Sequence, residues 1–497
     1  MTASPPQKTA PKRVTNFNNW ISAAGAVLAV GALFSFALLV AMDFSAGEKN
    51  PYLGILTYIV APIFLIAGLS LVLFGWWQQR RHRRLHTGAK TNFWAIDWDN
   101  PNHRRGIVVF TMGGAAFLLL SAFGSYQTYH YAESNVFCGQ VCHSAMNAEF
   151  QTYQRGAHAR VACVECHVGS GTKAFVQAKL NGTRQLYSFI LDNYARPIPT
   201  PVHNLRPAQD TCEKCHWPEK FLGNLDMSWE HYLSDRKNTP YTVRMLMRVN
   251  NGRPGSPLNG IHWHVNKDQV VEYYAVDEKY QDIVWMRVRN KLDGSTKVFR
   301  NEGFKGEPPA NRIRVMDCID CHNRPAHVFP PANDSVEQAM SLGKISRDLP
   351  NIKRHAVAAM IQEDITTTAE APGKIAEYLK NRYKDAPGLA ETIAEVQRIY
   401  AVTMFPERKA DWRQYPNNIG HKDWPGCFRC HDDKHSTATG EKVRASDCTS
   451  CHIIISQGKG ADLATLTASG LEFKHPAGDY DAELRCADCH NGGIQGK

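Results

Sequence analysis

The chain has 497 residues, 43% of them hydrophobic, and carries 57 Lys and Arg against 47 Asp and Glu for a formal net charge of +10. That length is too great for one hydrophobic core and calls for several domains. The cations gather at positions 8–13 and 80–105, beside long uncharged runs, a distribution that excludes a basic face for nucleic acid.

Residues 1–19 form a basic N-terminus with Lys8, Lys12 and Arg13. Three apolar, uncharged runs follow at about 20–42, 52–77 and 106–129, each long enough to cross a bilayer as a helix, so that 20–129 reads as a membrane anchor. The first run is too long, behind too long a polar leader, for a cleaved signal peptide. The loop 78–105 holds Arg80, Arg81, Arg83, Arg84, Lys90, Arg104 and Arg105, so it is expected in the cytoplasm, against anionic lipid headgroups. The third helix then delivers everything after about residue 129 to the periplasmic side of a bacterial inner membrane. Trp20, Tyr52, Trp76, Trp77, Tyr126 and Tyr129 stand at the expected interfaces. No span has an interior histidine, so none can ligate a haem within the bilayer.

All fourteen cysteines fall into seven pairs, each followed at once by histidine. The groups are Cys138, Cys142 and His143; Cys163, Cys166 and His167; Cys212, Cys215 and His216; Cys318, Cys321 and His322. The remaining three are Cys427, Cys430 and His431; Cys448, Cys451 and His452; Cys486, Cys489 and His490. Two thiols about a turn apart can add to the two vinyl groups of haem while the adjacent imidazole meets the iron. Zinc sites or disulfides would leave the seven histidines unexplained. Seven covalently bound haem c groups are therefore expected, and c-type haem agrees with a periplasmic location.

Residues 130–334 are expected to form a first haem domain with four sites and a β-rich insertion at about 221–311, where runs such as QVVEYYAV and IVWMRVRN alternate between turn segments. Residues 335–404 lack cysteine, show helical periodicity and read as a helical spacer; 405–497 form a C-terminal three-haem domain. The class is a mainly α multihaem cytochrome c with little regular structure around the haems, three N-terminal transmembrane helices and a small antiparallel β insertion.

Low-spin haem needs a second axial ligand, and histidines outnumber sites. His158, His203, His264, His327, His421, His435 and His475 are favoured, mostly for closeness in sequence to a motif, with His262 competing with His264 in GIHWHV. The first motif, CGQVCH, has one residue more between its cysteines than the others, and Met146 three positions after its histidine is a candidate ligand. It follows the third span directly and is where electrons are expected to enter.

The segments SNVFCGQVCHSAM, RGAHARVACVECHVGSG, KLNGTRQLY and RPIPTPVHNLRPAQDTCEKCHWPEK, between 135 and 219, resemble the NapC/NirT family of membrane-anchored multihaem quinol dehydrogenases. The resemblance implies oxidation of quinol, menaquinol above all, from the membrane quinone pool, with electrons passed to periplasmic c-type cytochromes. The family's anchor is typically one helix and its body four haems, so the extra spans and the C-terminal sites depart from it; so does CGQVCHSAM from the family's CxxCHxM. In the family a lysine and an acidic residue contact the quinol. Lys179 is the matching lysine, and the acidic position falls near Gln185, which can hydrogen-bond but cannot take a proton. Glu149 and His130 are further candidates for that site. The competing readings are a membrane-tethered relay subunit that leaves quinol to another protein, and a quinone reductase running in reverse.

Overall fold

The computed structural model describes residues 17–45, 57, 60–85, 96–141, 143–168, 172–202, 207–221, 223–250, 260–445, 447–479 and 484–493. They belong to two compact units, 1–134 with 170–175, and 135–169 with 176–497.

In the first unit, α1 (Trp20–Ser45), α2 (Ala61–Leu85) and α3 (Pro101–Ala132) are long helices. The Asn19 side chain caps α1, its Oδ1 accepting from the Ser22 amide at 2.8 Å. Small residues let α1 and α2 touch backbone to backbone: a Cβ on Gly25 would lie 2.6 Å from the Gly68 carbonyl oxygen, and one on Gly68 2.6 Å from the Ala29 amide nitrogen. Two segments, Trp20–Val40 and Ala61–Arg84, are long and apolar enough to span a membrane. Their outer sides expose Val30, Leu33, Ile63, Ile66 and Leu73, which suits lipid better than water. Helix α3 is continuous over 32 residues and exposes Val109, Met112, Leu120 and Phe123. The helices outrun the expected apolar limits because QQRRHRR at the end of α2 is itself a good helix former and Pro101 suits a first helical position. There the guanidiniums of Arg80 and Arg81 lie over the rings of Trp76 and Trp77. The expected start of the second span at 52 and Lys90 of the basic loop lie outside the described residues.

The second unit has two antiparallel sheets. Strands β1 (Leu225–Tyr232) and β2 (Pro240–Met247) pair as a hairpin, and β3 (Gln269–Ala275), β4 (Ile283–Asn290) and β5 (Thr296–Asn301) form a meander edged by β6 (Arg314–Val315). The C-terminal region completes both. Strand β7 (His435–Ser436) adds to β5, giving the order β6-β3-β4-β5-β7, and β8 (His452–Gly458) adds to β2, giving β1-β2-β8. The expected self-contained sheet at 221–311 is thus two sheets, each finished from downstream, because β2 and β5 would otherwise leave open edges.

Helices α4 (His143–Tyr153) and α5 (Thr172–Ile190) precede the sheets; α6 (Ala332–Ser341), α7 (Ile352–Met360), α8 (Ala371–Tyr383) and α9 (Leu389–Thr403) follow. The last four supply the main apolar core, in which Val336, Met340, Ile352, Met360, Ile375, Leu379 and Val396 are fully buried with Trp412 and Tyr415 against them. What reads in sequence as a spacer is a scaffold. A buried ion pair ties it to β1: Lys353 Nζ lies 2.6 Å from Glu337 Oε1, whose other oxygen meets His231 Nδ1 at 2.9 Å, and the Tyr232 amide donates to Glu337 at 3.1 Å.

Candidate haem sites

Each described Cys-X2-Cys-His segment closes one tight turn. The histidine amide reaches back to the first cysteine's carbonyl in four of them, His216 to Cys212, His322 to Cys318 and His490 to Cys486 at 2.8 Å, and His431 to Cys427 at 3.1 Å. Asp317 caps the Cys318 turn, accepting from the Ile319 amide at 2.9 Å, while Asp320 accepts from the Asp317 amide at 2.7 Å. The longer first motif coils instead as a wider π turn, Phe137–Val141, which accommodates its extra residue. Cys142 and the His143 side chain lie outside the described residues.

The motif histidines face other histidines across narrow gaps. Ring centres are 6.2 Å apart for His167 and His327, 6.1 Å for His216 and His158, and 6.3 Å for His322 and His262. They are 5.9 Å apart for His431 and His264, 6.2 Å for His452 and His421, and 6.0 Å for His490 and His475. A metal about 2 Å from each of two opposed imidazole nitrogens holds the ring centres about 6 Å apart. The spacing therefore fits an iron between the rings, with a thiol pair beside each gap, as haem c requires. In His158, His262, His264 and His327, Nδ1 contacts a backbone carbonyl, of Pro325 at 2.9 Å, Val249 at 2.5 Å, Ile261 at 2.8 Å and Glu149 at 2.9 Å. Donation from Nδ1 fixes the tautomer that turns Nε2 toward a metal. His475 differs, its Nδ1 accepting a long 3.3 Å bond from the Ala477 amide, a contact that has to yield before Nε2 can meet a metal.

Thiols of neighbouring sites influence one another: the Cys138 thiol pulls Cys163 down to about 7, and the Cys318 thiol pulls Cys212 down to about 6. In the fifth, burial pushes the Cys427 thiol up to about 12, and the neighbouring sulfurs Cys451 and Cys321 act in the same direction.

Not every favoured histidine stands opposite a motif. His435 is fully buried within the five-stranded sheet, with Nδ1 2.8 Å from Asp432 Oδ1 and Nε2 2.9 Å from the Ile283 carbonyl oxygen. Both ring nitrogens are engaged by acceptors, so neither is turned to a motif histidine; it is His262 that stands opposite one, His322. Closeness to a motif in sequence favoured His435, whereas the His-X-His spacing at 262–264 was the signal that two rings stand opposite two motifs. His203 lies outside the described residues.

The candidates for quinol contact fall on three helices, α3, α4 and α5. His130 sits near the end of α3, edge-on to Tyr126 at 4.4 Å. Lys179 is on α5 with its side chain outside the described residues, and Gln185 is exposed on the same helix. Met146, on α4, is half-buried. Glu149, also on α4, is buried: Oε1 accepts from the Tyr415 hydroxyl at 3.4 Å and Oε2 has no partner. Burial pushes its carboxyl above the ordinary range, against the pull of the Arg324 guanidinium. Arg324 lies 4.0 Å over the Tyr415 ring with Nε and Nη2 unpartnered, and burial lowers it to about 10. A small cavity lined by Ala145, Glu149, Tyr194, Arg408 and Tyr415 opens here, with room for about one water. Arg324 was not singled out in the sequence; its place between His322 and His327 in CHNRPAH was the available signal.

Comparison with known proteins supplies a further finding. Residues 100–210 match the N-terminal region of the NapC/NirT cytochrome c family. The chain is 40% identical over 494 residues, 95% of each chain, to the cytochrome c-type protein ImcH of Geobacter sulfurreducens. No solved structure matches.

Proposed function

We propose, from the premise that this chain belongs to the NapC/NirT cytochrome c family, that it is an inner-membrane quinol dehydrogenase passing electrons to periplasmic c-type cytochromes. Family membership implies covalent haem c, and the reading extends it to all seven Cys-His motifs. The six imidazole pairs at 5.9–6.3 Å carry the electron-relay part of the proposal, because a chain with no iron to hold would have no reason to face so many histidines across so narrow a gap, and the quinol part rests on the family. When bound, the haems supply one-electron redox chemistry in relay. The cysteines tether them, and His167, His216, His322, His431, His452 and His490 serve as proximal ligands, with His143 in the same role at the first site. His327, His158, His262, His264, His421 and His475 serve opposite them in that order, and Met146 is assigned to the first.

The anchor is read as three crossings with the basic loop in the cytoplasm; the two spans that pass on length and hydropathy support it. Quinol, menaquinol above all, gives up two electrons and two protons, and side chains must hydrogen-bond its oxygens and receive those protons. Lys179, Gln185, Glu149 and His130 are assigned to that work, with the unpartnered Glu149 Oε2 as the acceptor whose surroundings are best defined.

The test uses purified full-length protein in detergent with a reduced menaquinol analogue, following the visible bands of reduced haem. Reduction by the protein alone is expected, and Lys179→Ala should slow it at least tenfold while dithionite still reduces every haem. Full dithionite reduction with none by the quinol would leave the chain as a relay subunit and sink the dehydrogenase assignment.

A further inference from the structure

The short helical turn Ile261–Val265 carries two histidines, and they face different motifs: His262 faces His322 of the fourth and His264 faces His431 of the fifth. We infer that His262 and His264 are axial ligands to two separate haems, so that the tripeptide His262-Trp263-His264 clamps the fourth haem to the fifth. This rests on the haem reading above but not on quinol as the electron source. It identifies the junction through which electrons leave the region that resembles the family's four-haem body and enter the C-terminal three sites.

Three further observations support the junction. The turn is held rigidly: the Ile261 amide donates to the Arg248 carbonyl at 2.7 Å and the His262 amide to the Asn250 carbonyl at 3.2 Å. Gly260 lies so close that a Cβ there would come within 2.4 Å of the Asn250 carbonyl oxygen, so no side chain fits. Each ring's Nδ1 is engaged by a different carbonyl, Val249 for His262 and Ile261 for His264, which aims the two Nε2 atoms independently. On the far side the two motifs are bonded directly. Arg429, inside the fifth motif, donates from Nη2 to the Asp320 carbonyl inside the fourth at 2.8 Å and from Nε to the Gly426 carbonyl at 2.9 Å. Asn418 Nδ2 donates to the same Asp320 oxygen at 2.9 Å. The fourth and fifth sites are thus joined through both their proximal and their distal ligands. With both sites loaded, an electron crossing here would leave the iron held by His322 and His262 oxidised and the one held by His431 and His264 reduced, with no proton required by the contact itself.

The experiment compares ferric holoprotein with His262→Met, His264→Met and the double variant, without quinol. Near-infrared magnetic circular dichroism separates His–His from His–Met ligation, intact mass checks the haem complement, and peptide mapping around Cys318 and Cys427 locates any site that lost its haem. Each single variant should alter one haem, at the fourth site for His262 and the fifth for His264, and the double variant should alter both. Loss of covalent haem confined to the expected peptide supports the same assignment. A double variant with only one altered haem, or a single variant that alters none, two or the wrong site, overturns it. Failure of the quinol assay would leave these spectra, and the inference, untouched.

Discussion

Replacing Lys353 by methionine should destabilise the helical core by about 3–5 kcal/mol, the usual cost of removing one partner from a buried ion pair. The pair is well sealed, with side-chain exposures of 3% for Lys353 and 6% for Glu337. Lys353→Met leaves the Glu337 carboxylate buried with His231 and the Tyr232 amide alone. Converting both members, Lys353→Met with Glu337→Leu, should restore part of the loss, since no unpaired buried charge remains while His231 and the Tyr232 amide lose their acceptor. Acid provides an independent handle. Although burial alone would raise its pKa, contact with His231 and Lys353 holds the Glu337 carboxyl at about 2, against an ordinary 4.5. The stability this contributes is fully present above about pH 4.5 and is lost as pH falls toward 2; it amounts to roughly 3 kcal/mol. The assay is hydrogen exchange of peptides from α6 to α9 in detergent-solubilised holoprotein, which reads opening of this core apart from the rest of the molecule. Exchange should accelerate in the single variant, recover in part in the double, and be less acid-sensitive in both. A single substitution costing under about 1 kcal/mol, or a double variant weaker than the single, would refute the reasoning.

Substituting His435 by phenylalanine should cost about 2–3 kcal/mol by leaving Asp432 and the Ile283 carbonyl short of donors, with every ferric low-spin haem signal unchanged. An altered haem signal would return His435 to the ligands. His327→Ala should turn one low-spin haem high-spin at the second site, visible by electron paramagnetic resonance, while the others keep their signals. Gly68→Leu should part α1 from α2 at a cost of about 1–3 kcal/mol, seen as aggregation in detergent at a lower temperature; an unchanged transition would show that the close approach is not needed.

The haem motifs are legible in the sequence because they are local: three side chains within one turn specify a covalent site. Distal ligands are not local. His158 reaches His216 and His327 reaches back to His167, but sequence distance ranked His435 above His262, and the hydrogen bonds that remove His435 come from Asp432 and from β4. The sheet strands were visible as alternating runs, yet HIIISQG, which begins on the histidine of CTSCH, gave no hint that it pairs with β2. The helices over 332–403 were legible in their periodicity. Their role as the main core was not, because burial depends on what the haem-bearing segments lack, a property of the whole unit rather than of the stretch itself.

Both sheets wait on the last part of the chain to be made. Strands β1 to β5 emerge early, but the edges of β2 and β5 are closed only by β8 and β7, which directly follow the sixth and fifth Cys-His motifs. Until those segments arrive, β2 and β5 each keep an unpaired edge. A chain cut short immediately before β7 would keep five of the seven Cys-His motifs, yet it would leave both sheets unfinished.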